Sequence, residues 1–127
     1  MRKIILDMQS GLYAKAIQRI LVQELEDYQV IISESPDKTA ARCKTFQPYA
    51  LLMEVTGYTP WMLEERLAIR NTVLKTNPDC KIVVLVDDVA DRELAKKVKK
   101  AKQDGLIHAF LFGSATDSYL AAMMDSL

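Results

Sequence analysis

No charge of either sign dominates this sequence. Its 17 basic side chains are matched by 17 acidic ones, so net charge steers the chain toward neither nucleic acid nor an anionic membrane surface. Cysteine is scarce. Cys43 and Cys80 lie far apart with no C-x-x-C spacing, which removes the signal for a zinc site or a dithiol redox pair and leaves two reduced thiols, core-packed or half-buried, as the expectation. Histidine occurs once, at His108, with no base, nucleophile or ligand set around it, so a structural role is expected. No apolar run approaches the roughly 18 residues of a membrane span, and Met1-Arg2-Lys3 leads straight into a strand-like segment where a secretory signal would differ. A cytoplasmic location is expected. Repeats, low-complexity tracts and linkers are missing too, and 127 residues, half of them apolar, suit one domain, Met1 to Leu127, with a single core region.

What is present is an apolar pattern that switches between two periods. Short β-branched runs at Lys3–Leu6, Gln29–Ser33, Ala50–Val55, Lys81–Val86 and Ala109–Phe112 alternate with segments of helical spacing. In the first helical segment Leu12, Ala16, Ile20 and Leu21 share a face, with Ile17 and Leu25 beside it. Ser35-Pro36 and Thr59-Pro60 each place a hydroxyl before a proline, a helix-start signal, and Ser114 to Asp117 has capping-box spacing. Helices are therefore expected at about Pro36–Phe46, Pro60–Thr76, Asp91–Gln103 and Ala115–Met124. The third of these should turn Leu94, Ala95, Val98 and Ala101 inward. Strands separated by helices imply parallel pairing, and strands apolar on both sides imply helices on both faces. The expected fold class is α/β, a (βα)5 doubly wound parallel sheet.

In such a sheet, ligands gather at the carboxyl ends of strands where the strand order reverses. The tips offer Asp7-Met8-Gln9, Glu54, Val86-Asp87-Asp88 and Phe112-Gly113-Ser114. Glu54 is notable as a lone carboxylate closing an apolar run. Asp87 and Asp88 are expected to cap the following helix.

The order of elements, with "GLYAKAIQRIL", "ELEDYQVI" and "AFLFGS", resembles the CheY-like receiver domain of bacterial two-component response regulators over essentially the whole chain; "AFLFGS" is similar to the family's A-F-L-Y-K-S stretch. The resemblance implies a flavodoxin/CheY-like sheet of order 2-1-3-4-5. It also implies an acidic pair after the first strand for Mg²⁺, a phosphoacceptor aspartate after the third, a hydroxyl after the fourth and a lysine after the fifth. This sequence departs from the pattern at each place. Met8 and Gln9 stand where the acidic pair belongs, with Asp7 one position early. Glu54 stands at the phosphoacceptor, Val86 at the hydroxyl position and Gly113, or Phe112 in another alignment, at the lysine, while Phe110 takes the aromatic switch position. A divalent ion needs oxygen ligands and a phosphoryl group needs donors and countercharge, so a degenerate receiver that does not use phosphorylation is expected, with no cofactor. Asp7 and Glu54 remain weak candidates for a cation.

The expected function is thus non-enzymatic signalling through protein contacts. The resemblance implies a homodimer through the face made by Asp91–Gln103 and Ala109–Leu127, to which Met123, Met124 and Leu127 would add apolar contact. It also implies a possible DNA-binding output domain, so the chain would be either the N-terminal part of a longer regulator or a freestanding adaptor. Lys96, Lys97, Lys99, Lys100 and Lys102 are read as a solvated face, with an acidic partner or nucleic acid the lesser reading. Trp61, Met62 and Leu63 are read as packing residues, with docking of a partner by an exposed part of the group the lesser reading. The alternative class is a flavodoxin-like or cobalamin-type cofactor-binding domain. Asp7-Met8-Gln9-Ser10-Gly11 resembles the Asp-x-His-x-x-Gly motif only faintly, and a flavin phosphate loop would need more than Ser10 and Gly11.

Overall fold

Ten elements follow one another without exception to the alternation. They are β1 (Arg2–Asp7), α1 (Gly11–Glu24), β2 (Tyr28–Ile32), α2 (Pro36–Phe46), β3 (Ala50–Val55), α3 (Leu63–Thr76), β4 (Lys81–Val86), α4 (Arg92–Gln103), β5 (Ala109–Phe112) and α5 (Asp117–Asp125). The structure, a computed structural model, describes all residues 1–127. The strands form one sheet of order β2-β1-β3-β4-β5, every pair parallel. Because side chains alternate across a strand, the apolar runs feed two cores. Ile4, Leu6, Leu52, Val83 and Leu85 pack under α1 and α5 with Ile17, Leu21, Leu120 and Met124. Ile5, Leu51, Met53, Ile82 and Val84 pack under α2, α3 and α4 with Cys43, Val73, Val98 and Ala101.

Local chemistry moved four expected features. The buried stripe of α1 is Ala14, Ile17 and Leu21, whereas Leu12 is 82% exposed: at about 3.6 residues per turn it falls on the side of the helix opposite that stripe. α3 starts three residues after Pro60. Trp61 N–H bonds the Tyr58 carbonyl at 2.8 Å and Thr56 N–H bonds the Trp61 carbonyl at 2.9 Å, which commits Thr59 and Pro60 to a turn. α5 is capped by Thr116, whose hydroxyl accepts from Tyr119 N–H at 3.2 Å, because Ala115 N–H closes a turn onto the Phe112 carbonyl and leaves Ser114 outside the helix. Finally, α4 is capped by Asp91, which accepts from Leu94 N–H at 3.0 Å, and not by Asp87 or Asp88. Asp87 instead accepts from Val89 and Ala90 N–H at 3.1 and 3.0 Å, ordering the loop before the helix.

Candidate functional site at the strand ends

β1 pairs with β2 on one side and β3 on the other, so the carboxyl ends of β1 and β3 flank the point where the order reverses. Asp7 ends β1 and turns inward, with 1% of its surface exposed. Its Oδ2 accepts from Thr39 Oγ1 at 2.6 Å and from Arg66 Nη1 at 2.7 Å. Arg66, on the first turn of α3, has no exposed surface at all. Its remaining donors are spent on backbone: Nη2 donates to the Asp7 carbonyl at 3.0 Å and Nε to the Glu54 carbonyl at 2.8 Å. Ser33 Oγ lies 2.7 Å from Thr39 Oγ1. The rigid guanidinium fork thus ties the ends of β1 and β3 together, and it neutralises a carboxylate whose burial alone would cost several kcal/mol. The inward line of α3 that carries Val73 reaches Arg66 seven residues earlier, so the helical face of α3 contains this signal; the strand tips alone do not show it.

Glu54, one residue after the Asp7 partner Met53 in the register, points to the opposite face of the sheet. Its Oε1 accepts from Gln9 N–H at 2.8 Å. It stands between two cavities of about 550 and 530 Å³ that both reach Glu54 and Asp87. Gln9, Thr56, Tyr58 and Asp91 line one; Tyr13, Asp88, Val89, Gly113 and Ser114 line the other. Burial, then the charges of Glu54 and Asp87, push the Tyr13 phenol above its ordinary pKa. Its hydroxyl lies 3.9 Å from where a Cβ on Gly113 would be, so Tyr13 covers the ground a side chain at Gly113 would enter. The sequence marks Tyr13 only as a member of a helix.

The other expected site residues scatter. Met8 packs into the α1 and α5 core, and Gln9 is exposed, contributing its backbone N–H. Val86 is buried and its carbonyl accepts from Gly113 N–H at 3.0 Å. Phe110 is half-buried against Phe112, ring centroids 5.4 Å apart. Ser10, the hydroxyl of the loop after β1, caps α1 by accepting from Tyr13 N–H at 3.2 Å. His108 Nδ1 accepts from Ile82 N–H at 2.9 Å; burial, with Lys81 and Arg70 nearby, lowers its pKa. The lysines of α4 are exposed, and Lys99 sits 5.6 Å over the Phe112 ring. Met124 has no exposed surface, because α5 turns it into the core, so it cannot supply apolar contact to a partner.

A divalent ion in this fold would be held by carboxylates at the ends of β1 and β3. The residues here do not fit one. Asp7 is buried and paired with Arg66, the Met8 side chain has no oxygen to offer, and Asp7 and Glu54 point to opposite faces of the sheet, which removes them as a joint cation site. Nowhere do three His, Cys, Asp or Glu side chains converge as a metal-ligand group.

No family model and no curated protein matches the chain. Solved structures do. A DNA-binding response regulator of the LuxR family from Staphylococcus aureus superposes with a TM-score of 0.78 at 10% identity, covering 99% of this chain and 98% of that one. A response regulator from Thermotoga maritima gives 0.75 at 16% identity over 99% and 96%. The Vibrio cholerae chemotaxis protein CheY4 gives 0.74 at 15% identity over 99% and 98%. The fold is that of the CheY-like receiver. It gathers Glu54, Asp87 and Gly113 at the carboxyl end of the sheet, and no helix is long and apolar enough to cross a membrane.

Proposed function

We propose that the chain is a receiver-type signalling module that acts through protein contacts and does not pass through a phosphorylation cycle. One observation carries this reading: Arg66 is bonded to Asp7 at 2.7 Å inside the fold. Phosphoryl transfer to a carboxylate depends on cations and donors placed around the reacting oxygens. Here the carboxylate at the end of β1 is already neutralised from within. Val86 has no hydroxyl to follow a phosphoryl group, Gly113 has no ammonium to balance it, and Glu54 is held by Gln9 N–H. The module is non-enzymatic in this reading and needs no cofactor.

Self-association fits the face of Asp91–Gln103 and Ala109–Leu127. Phe110, Phe112, Ala115 and Tyr119 line a cavity of about 430 Å³ there, and Tyr119 is 59% exposed. Apolar side chains of this kind supply contact area in an interface. The Staphylococcus aureus neighbour is a DNA-binding response regulator; an output of that kind joined to this chain would be controlled by dimer geometry, and a cytoplasmic setting follows from that role. The test is intact mass after incubation with acetyl phosphate and Mg²⁺. An unchanged mass is expected; a hydroxylamine-labile phosphoryl group on Glu54 whose yield depends on Mg²⁺ overturns the reading.

A further inference from the structure

The two cavities on either side of Glu54 form one acidic trough. Glu54 and Asp87 belong to both, Asp91 and Asp88 extend it to either side, and no Lys, Arg or His lines either part. None of these four carboxylates forms an ion pair within the chain. Backbone N–H groups engage Glu54, Asp87 and Asp91, but Asp88 Oδ1 is shut off from solvent and has no hydrogen-bond partner. A buried acceptor left in that state is costly until a donor reaches it. Arg66, whose Nε donates to the Glu54 carbonyl, has its charge taken up by Asp7 on the other face of the sheet.

The rim of the trough is apolar. Tyr58 and Val89, which line its two halves, are 72% and 80% exposed. These are among the most exposed large apolar side chains of the molecule, and they come from the loops after β3 and β4, adjacent strands in the sheet. Exposed apolar groups around a polar centre mark a contact surface, and depletion of water by such a rim strengthens the charge pair at the middle.

We propose that the carboxyl end of the sheet docks a protein segment that inserts one arginine or lysine side chain into the Glu54–Asp87–Asp88 trough and lays an apolar neighbour on Tyr58 or Val89. Charge complementarity selects this occupant. The same carboxylates repel the phosphates of nucleic acid and acidic peptides, and Arg suits the site better than Lys because its planar fork can serve carboxylates on both sides of Glu54. The inference rests on the reading that the chain acts by contacts, and it names a contact surface separate from the α4, β5 and α5 face.

The test uses amide spectra of the whole chain titrated with the acetylated, amidated tripeptide Leu-Arg-Phe, and with its neutral isostere in which citrulline replaces the arginine. Saturating shifts are expected at Gln9, Gly57, Val89 and Gly113 with the arginine peptide, weakening as salt rises, and only marginal shifts with the citrulline peptide. Glu54→Gln keeps the acceptor for Gln9 N–H while removing the charge; it and Asp87→Asn should each weaken binding by up to about fivefold, the worth of a partly exposed charge pair. Equal binding of the citrulline peptide, shifts confined to α4, or no shifts at millimolar peptide overturns the proposal. Binding by a chain that does take phosphoryl from acetyl phosphate defeats the phosphorylation-independent reading alone; failure to bind by a chain that takes none defeats this inference alone.

Discussion

Replacing Arg66 with methionine, similar in length but without charge, strips Asp7 of its ion pair and leaves the Asp7 and Glu54 carbonyls without their guanidinium donors. Thr39 remains as a single donor to a carboxylate that is 1% exposed. Breaking a buried pair by removing one partner costs about 3–5 kcal/mol, against a total stability of about 5–15 kcal/mol for a domain of this kind. At about 2.1 cal/mol/K per residue over 127 residues, the unfolding entropy is about 0.27 kcal/mol/K. The midpoint should therefore fall by about 11–19 °C, read by circular dichroism and cross-checked by urea unfolding. Removing both charges together, as in Asp7→Leu with Arg66→Met, should recover most of the loss, since apolar replacement of a whole buried pair is near neutral. The double-mutant cycle should give a coupling of about 2 kcal/mol or more. If Arg66→Met does not fold, Arg66→Lys and Asp7→Asn supply the milder legs. A loss below about 1 kcal/mol for Arg66→Met, or strict additivity in the cycle, refutes the reasoning that Arg66 neutralises Asp7 from within.

The two thiols give a pH prediction. Burial pushes Cys43 and Cys80 from 9.0 up to about 12; because the unfolded chain releases these protons earlier, their contribution is intact below pH 9 and is lost as pH rises from about 9 toward 12. Both should resist a thiol reagent in the native state and react fully in denaturant, and rapid native labelling at neutral pH would contradict their burial. His108 should titrate below its ordinary 6.5 in a ring-proton titration. The sign follows: the native state binds this proton less readily than the unfolded chain, so the contribution is present above pH 6.5 and fades as pH falls through the lowered value. Tyr119→Glu should weaken self-association in light scattering while leaving the unfolding midpoint within a few degrees, about 0.5 kcal/mol being typical of surface changes. Met124→Glu should instead unfold the chain, because it buries a charge in the core; a soluble, folded Met124→Glu variant would contradict the packing of α5.

The sheet was legible because the central strands are apolar on both sides over most of their length, which is what burial between two helical layers requires. Ala50–Met53 and Ile82–Val86 carry that pattern without interruption, and the inward residues of α4, Leu94, Ala95, Val98 and Ala101, fall on one face between charged neighbours. Where two readings of a helix start competed, the sequence was silent. Thr59-Pro60 and Ser114–Asp117 both carry start signals, yet α3 begins at Leu63 and α5 is capped by Thr116, and the choice is made by turn hydrogen bonds from Trp61 and Ala115 that no local pattern announces. The faces of α1 and α5 were legible only in part, since apolar residues ring both helices and packing against the sheet decides which are covered. At the candidate site the gathering of Glu54, Asp87 and Gly113 followed from strand ends alone. Arg66 did not, because its partner Asp7 is 59 residues away and the pairing is a product of packing α3 against β1. Its fixed charge changes the meaning of the site more than any residue at the strand tips.

The measurement that bears most directly on the central claim is a pair of amide spectra, one of the chain alone and one with Mg²⁺ and beryllofluoride, the phosphoryl mimic a working receiver would bind. With Asp7 held by Arg66, and Val86 and Gly113 in place of a hydroxyl and an ammonium, the resonances of Gln9, Glu54, Val86 and Gly113 should stay where they are in both spectra. Saturable shifts at those four residues, requiring Mg²⁺ and beryllofluoride together, would contradict the account and place the chain among working receivers.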